Sequence, residues 1–96
     1  MRTKLTEAQI GEKLTAGWTF RDNMIHRIYE FPSYAHGSQF AAGVGLLAEG
    51  MDHHPDILIQ WRKVTISLNT HDAGGVTDTD FALAEKIERL REHGPA

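Results

Sequence analysis

Two adjacent histidines lie between acidic residues in the segment EGMDHHPDILIQW, residues 49–61. Neutral imidazole titrates near pH 6.5, so His53 and His54 suit general acid–base chemistry at cellular pH. A metal site is a second hypothesis, but it requires His71 and a carboxylate to be brought in by the fold, because adjacent histidines do not share one helical face. A third is a polar loop before a proline with no chemical role. The residues alone leave these three interpretations open.

Other residues that could do chemistry have structural explanations of their own. Asp80 follows Thr77 by three residues, which is the spacing of a helix capping box. Trp61 is typical of a half-buried aromatic residue, and Glu49 lies off the apolar face of its predicted helix. The remaining histidines have no partner close in sequence, and we expect them to be structural or exposed: His26, His36 and His93.

The whole chain limits the classes of function. Its 96 residues, 41% hydrophobic and 24% charged, predict one globular domain over residues 1–96. A net charge of −3 without a Lys/Arg cluster argues against binding to nucleic acid or to an anionic membrane. The absence of cysteine excludes disulfides and thiolate metal ligands. Without a signal-peptide pattern or an apolar run of membrane-spanning length, we expect a soluble cytoplasmic protein.

The elements in the first half of the chain are marked by caps and turns. Thr6 and Gln9 have capping-box spacing, which predicts a helix over residues 6–16 that Gly17 ends. Aromatic and β-branched residues on both sides of RDN, residues 21–23, predict a β-hairpin. A second helix follows Ser33, with one apolar stripe at helical spacing: Phe40, Val44, Leu47 and Met51.

The second half predicts another hairpin and a last helix. The strand KVTISLNTH, residues 63–71, alternates apolar and polar residues, and this parity places His71 with Asn69 on the polar side at the end of the strand. Thr77 begins the last helix. The order α-β-β-α-β-β-α predicts an α+β fold, a single domain in which helices cover one face of a four-stranded antiparallel sheet.

The residues around the histidine pair resemble the signature of the pterin-4a-carbinolamine dehydratases. In this chain the signature residues are Glu49, His53-His54-Pro55, Trp61, His71 and Asp80, separated by three, five, nine and eight residues. The segments LTEAQIGEKLTAGW, KVTISLNTHDAGGVTDTD and FALAEKIE also look like that family, so the similarity runs from about Leu5 to Leu90. One departure is a middle helix that is unusually rich in glycine.

The resemblance implies a fold and a reaction. Family members pack three helices on a four-stranded antiparallel sheet and form homodimers or homotetramers, partly through the middle helix. They act as hydro-lyases without a metal or a bound cofactor. They remove water from a 4a-hydroxytetrahydropterin to give the quinonoid dihydropterin, which regenerates the pterin that aromatic amino acid hydroxylases use. The pterin substrate is therefore the expected small-molecule partner.

The same resemblance implies roles for individual residues. His53, His54 and His71 match the catalytic acid–base set. The residues that match the substrate site, by contact with the pterin or by orienting the histidines, are Glu49, Asp52, Trp61, Asn69, Thr70, Asp72 and Asp80.

Other functions stay open beside the dehydratase. Some animal members of the family serve as dimerisation cofactors of a transcription factor, so a regulatory or pterin-binding role without turnover is one alternative. A metal hydrolase built from histidine and carboxylate ligands is another.

Overall fold

Residues 2–94, which the computed structural model describes, fold into three α-helices and four β-strands. The helices are α1 (Glu7–Lys13), α2 (Tyr34–Gly50) and α3 (Asp78–His93), and the strands are β1 (Trp18–Arg21), β2 (Met24–Glu30), β3 (Asp56–Gln60) and β4 (Lys63–Leu68). A short 3-10 helix, His71–Ala73, follows β4. The predicted order α-β-β-α-β-β-α is confirmed.

The four strands form one antiparallel sheet in the order β1-β2-β4-β3. Two hairpins build it. In the first, Asp22 and Asn23 have φ values of 54° and 61°, and two consecutive positive φ values produce the turn whose twist matches that of the flanking strands. The second hairpin joins β3 and β4 through Trp61 and Arg62.

The core lies between the helices and one face of the sheet. The inward residues of β4, Val64, Ile66 and Leu68, are fully buried, as their alternation with polar residues predicts. Helices α2 and α3 cover this face, and their buried residues include Val44, Leu83 and Ile87. On the opposite face Ile28 of β2 and Leu58 of β3 are more than half exposed, so the helices of residues 2–94 leave this face uncovered.

A half-buried carboxylate fastens α3 to the first hairpin. One oxygen of Glu88, Oε1, accepts hydrogen bonds from Trp18 Nε1 at 3.2 Å and from the Tyr29 hydroxyl at 2.5 Å. The Arg27 Nε atom lies 3.2 Å from the same oxygen. Burial is the main reason why the pKa of Tyr29 lies well above its ordinary value, and the hydrogen bond to Glu88 raises this pKa further. The phenol therefore stays a neutral donor, and it links the sheet to the helix.

Two glycines of α2 allow close packing inside the chain, and a third has open space around it. A Cβ on Gly43 would lie 2.9 Å from Leu90 Cδ2 of α3, and one on Gly37 would lie 3.3 Å from Val64 Cγ2 of β4. These two positions allow α2 to approach its neighbours closely. Gly45, by contrast, has open space where a Cβ would be.

Two boundaries differ from the sequence-based prediction. Helix α1 ends at Lys13 rather than at residue 16, and Gly17, with a φ of 92°, lies in the turn before β1. Strand β4 ends at Leu68, so the prediction that the strand continues to His71 was wrong. The reason is a local bridge in which the Thr70 N–H donates to the Gly75 carbonyl at 2.8 Å and closes a loop around the 3-10 helix.

Within residues 2–94, none of the helices combines the length and the apolar character needed to cross a membrane.

Helix α2 offers a matched pair of substitutions that tests its inward and outward faces. Val44 is fully buried, whereas Leu46, two residues on, is 75% exposed. Val44→Asp places an unpaired carboxylate in the core, and we expect it to lower the free energy of unfolding by about 4 kcal/mol or more. Leu46→Asp lies outside the core, so it should lower that free energy by much less than Val44→Asp does. Urea unfolding measures both, and a stable Val44→Asp variant would contradict the assignment of this face.

Candidate active site

A tight turn at the end of α2 delivers the histidine pair. The Asp52 N–H donates to the Glu49 carbonyl at 3.1 Å, and the His53 N–H reaches back to the Ala48 carbonyl at 3.0 Å. This is the Schellman pattern, which requires a left-handed residue after the helix cap. Asp52 takes that conformation with a φ of 50°, although glycine is the usual residue there. The turn reverses the chain and points His53 towards α3.

His53 is held by a buried carboxylate. Its Nε2 lies 2.5 Å from Oδ1 of Asp80, and the two residues are 5% and 0% exposed. An ionised carboxylate can only accept hydrogen bonds, so Nε2 carries the proton in this pair. The other ring nitrogen, Nδ1, makes no side-chain hydrogen bond within residues 2–94, and it is the nitrogen that remains for a ligand.

The second oxygen of Asp80 is also fully engaged. Oδ2 accepts from the Thr70 hydroxyl at 2.9 Å and from the Thr77 N–H at 2.8 Å. Thr77 is the N-cap of α3, and the predicted capping box with Asp80 is confirmed. Asp80 therefore caps a helix and binds a histidine with the same carboxylate. Its position in the first turn of α3 also favours negative charge, because the helix dipole is positive there.

The other two histidines are far more exposed. His54 Nε2 lies 2.7 Å from Glu49 Oε1, and these side chains are 60% and 78% exposed. His71 opens the 3-10 helix after β4 and is exposed. The three histidines thus have three different environments: one is buried and paired, one is exposed and paired, and one is exposed without a side-chain hydrogen bond among residues 2–94.

All three histidines line one cavity of about 460 Å³, a volume within the usual range for small-molecule sites. The residues around it are Arg2, Met24, Asp52, His53, His54, Asp56, Asn69, His71 and Asp72. The lining is mainly polar and rich in carboxylates. The guanidinium of Arg2 is held at the rim by a 3.2 Å hydrogen bond to the Asp52 carbonyl.

The cavity contains six of the ten residues predicted for the site. Asp52, Asn69 and Asp72 line it together with the histidines. Glu49 and Asp80 contact histidines without lining it, and Thr70 is fully buried behind Asp80. The structure does not bring Trp61 to this cavity: its ring is 74% exposed at the tip of the second hairpin, where Arg62 stacks over it.

Sequence reasoning missed three of the lining residues. Asp56 begins β3 directly after the histidine turn, and its position next to the pair was the one usable signal. Met24 of β2 and Arg2 come from distant parts of the chain, and their presence in the cavity depends on the sheet order and on the course of the N-terminal segment.

The described residues also form two larger cavities, and neither of these is lined by a histidine. One, of about 560 Å³, is lined by residues of α3 and by Trp18. The other, of about 590 Å³, adjoins Trp61. A smaller cavity, of about 340 Å³, has His26 as the one histidine in its lining. Acid–base chemistry by more than one imidazole therefore points to the cavity lined by His53, His54 and His71. Over the described residues, no three His, Asp or Glu side chains are grouped as a metal site.

Comparison with known proteins identifies the family of this chain. Residues 3–90 match the family model described as pterin 4 alpha carbinolamine dehydratase. A relative from Roseiflexus sp. (strain RS-1) is 48% identical over 92 residues, which cover 94% of this chain and 99% of the relative. One from Natronomonas pharaonis is 45% identical, over 96% of this chain and all of the relative. Both carry the provisional name pterin-4-alpha-carbinolamine dehydratase.

Solved structures share the fold. The crystal structure of a transcriptional coactivator/pterin dehydratase from Brucella melitensis superimposes with a TM-score of 0.86 at 33% identity, over 92% of this chain and 98% of that one. A pterin dehydratase-like protein described as a RuBisCO assembly factor in the alpha-carboxysome has a TM-score of 0.62 at 24% identity, over 82% of this chain and 89% of that one, a likeness of fold alone. The chain belongs to the pterin-4a-carbinolamine dehydratase family.

The contrast between the two histidine–carboxylate pairs predicts different effects on stability. Asp80→Ala leaves His53, Thr70 and the N-terminus of α3 without their buried partner, so we expect the free energy of unfolding to fall by about 3–5 kcal/mol. Glu49→Ala removes an exposed partner of His54 and should change it little. Urea unfolding at neutral pH compares the two variants. Equal stability losses would contradict the central place given to Asp80.

Proposed function

We propose that this chain is a hydro-lyase that removes water from a 4a-hydroxytetrahydropterin and releases the quinonoid dihydropterin. The observation that carries the proposal is the histidine cavity, in which His53 is fixed by Asp80 and shares the lining with His54 and His71. Family membership and the names of the relatives support the same reaction.

The reaction needs proton transfer and little else. The proton on N5 and the hydroxyl on C4a leave together as one water, and a C4a=N5 double bond forms. One group must accept the N5 proton while another protonates the departing oxygen, and imidazoles near neutral pH do both. In neutral His53 the fixed tautomer leaves the Nδ1 lone pair as the acceptor. His54 and His71, both exposed, are the groups that exchange protons with solvent.

The acidic lining suits the donor edge of a pterin ring. A pterin presents N–H groups at its amino and amide edge, and carboxylates bind such groups with charge-assisted hydrogen bonds. Asp52 and Asp72, with the amide of Asn69, are the cavity residues that we assign to this edge. Met24 is the apolar side chain of the lining and provides a surface for the ring. The pterin is the only ligand that the mechanism requires.

The test is direct turnover of freshly generated 4a-hydroxytetrahydropterin, followed by the absorbance of the quinonoid product. We expect a rate well above that of buffer, and the same rate after exhaustive chelation, because the histidines act as proton carriers. A rate equal to that of buffer would exclude the dehydratase. Activity lost to the chelator and restored by zinc would overturn the metal-free mechanism.

His71 gives the sharpest variant in that assay. His71→Ala removes one proton carrier, which is worth on the order of 10²–10⁴ in rate, and the neighbouring imidazoles can replace it in part. We expect turnover to fall by about tenfold to a thousandfold, with a nearly unchanged melting temperature because His71 is exposed. His54→Ala should act similarly.

His93→Ala is the matched control, since His93 is an exposed histidine at the end of α3. Its turnover should equal that of the wild type. Normal turnover in His71→Ala, or a loss explained by unfolding, would refute the site assignment.

We also propose a physiological setting and an assembly. The product feeds recycling of tetrahydropterin for an aromatic amino acid hydroxylase, and a neighbouring hydroxylase gene would support that setting. The proposed homodimer or homotetramer uses the outer face of α2, where Leu46 is 75% exposed beside the open position of Gly45. Val44 lies in the core and is not available for assembly. Leu46→Asp should shift sedimentation to smaller species, and an unchanged profile would count against this interface.

A regulatory role is the alternative. The structural relative from Brucella melitensis is described as a transcriptional coactivator as well as a pterin dehydratase. Copurification of a helical protein partner, together with no turnover of the carbinolamine, would favour that role for this chain.

A further inference from the structure

Behind the cavity, the hydroxyl groups around Asp80 form a chain of hydrogen bonds with a defined direction. The Thr70 hydroxyl donates to Asp80 Oδ2, and it has only one proton to give. In its 2.7 Å contact with the Thr77 hydroxyl, Thr70 must therefore accept. The Thr77 oxygen in turn accepts from the Thr79 N–H at 3.2 Å. Every donor in the chain points towards the carboxylate.

From this arrangement we propose that Thr70 and Thr77 are positioning residues for His53. Their hydroxyls hold Asp80 in the one orientation that leaves Oδ1 free for the Nε2–H of His53. The catalytic nitrogen Nδ1 is thereby kept unprotonated and directed into the cavity. Neither threonine lines the cavity, so both act through Asp80 and not on a ligand.

Burial makes these hydroxyls more than ordinary caps. Thr70, Thr77 and Asp80 are all 0% exposed, so water cannot replace a missing donor at this place. Hydrogen bonds that point the same way also polarise one another, which strengthens the final bond to the carboxylate. Loss of the Thr70 hydroxyl should therefore leave the Thr77 N–H as the remaining donor to Oδ2. Loss of the Thr77 hydroxyl removes the donor to Thr70 and should weaken the bond from Thr70 to Oδ2. Either change should allow the carboxylate to rotate away from His53.

Loss of a helix cap alone would not change the orientation of His53, and the capping box of α1 provides the comparison. Thr6 caps α1 with the same capping box, through Gln9, but these residues are exposed and form no hydrogen bond to a histidine within residues 2–94. Thr6→Val should thus cost helix stability without changing the site. Thr70→Val is the complementary variant, because Thr70 donates to Asp80 but does not cap α3.

The first measurement is the pair of ring ¹⁵N chemical shifts of His53 in the free protein, which identify the tautomer without any substrate. We expect the wild type and Thr77→Ser to be protonated at Nε2. In Thr70→Val and Thr77→Val we expect a mixture of the two tautomers, whereas Thr6→Val should match the wild type. The charged and titratable groups that also surround the cavity are Arg2, Asp52, His54, Asp56, His71 and Asp72, and all of them are kept in these variants.

The second measurement is turnover, which relies on the proposed dehydratase. The two valine variants should lose about tenfold in kcat with KM changed less than twofold, and Thr77→Ser should recover most of the loss. Folded Thr70→Val with the wild-type shifts of His53 would overturn the proposal, and so would an equal change in Thr6→Val. If the wild type turns over no carbinolamine, the proposed function fails, and the ¹⁵N shifts still decide the role of the threonines. Should Thr77→Val not fold, Thr70→Val and Thr77→Ser carry the test.

Discussion

The buried carboxylate of Asp80 is the constraint on which the rest of the site depends. A charge removed from water costs several kcal/mol unless hydrogen bonds or an opposite charge replace its hydration. Asp80 has three donors, from His53, Thr70 and Thr77, and each belongs to a different part of the chain. The turn after α2, the end of β4 and the start of α3 must therefore meet at one point. Fold and site cannot be separated there.

This meeting point explains two local irregularities. Asp52 adopts a left-handed conformation, which costs a non-glycine residue about 1–2 kcal/mol, and the Schellman hydrogen bonds offset part of that cost. Strand β4 ends early so that Thr70 can turn inward to Asp80, which leaves His71 in the 3-10 helix at the cavity. The left-handed turn at Asp52 places His53 at the cavity, and the early end of β4 places His71 there.

Local patterns predicted most of the fold. Capping boxes at Thr6 and Thr77, the hairpin at Asp22-Asn23 and the alternation in β4 depend on residues within a few positions of one another, so the sequence contains them directly. The contact between His53 and Asp80 spans 27 positions, and no periodicity encodes it. Spacing alone left three interpretations of the histidine pair open: acid–base chemistry, a metal site and a polar loop. The family resemblance was needed to predict that His71 and Asp80 belong to the same site.

Because local patterns do not encode long-range contacts, the sequence predicted the residues that line the cavity only in part. Thr70 flanks His71 in sequence, yet its side chain points to Asp80 because a buried hydroxyl must find a partner. Arg2 and Met24 enter the cavity through tertiary structure that no short segment specifies. Trp61 keeps its place in the family signature but lies at the far end of β3, with its ring 74% exposed. Proximity in sequence did not decide contact with the cavity.

The three histidines have surroundings that suit different parts of the proton transfer that we propose. An exposed imidazole exchanges protons with water and can turn, so neither His54 nor His71 keeps one nitrogen directed at a ligand by burial. His53 lacks that freedom, because Asp80 holds its Nε2 in a site closed to solvent. A group that must meet a specific ligand atom gains from fixed geometry, while a group that must be recharged between turnovers gains from solvent. The cavity contains both kinds of histidine, and the proposed dehydration, which removes a proton and a hydroxyl, would use both.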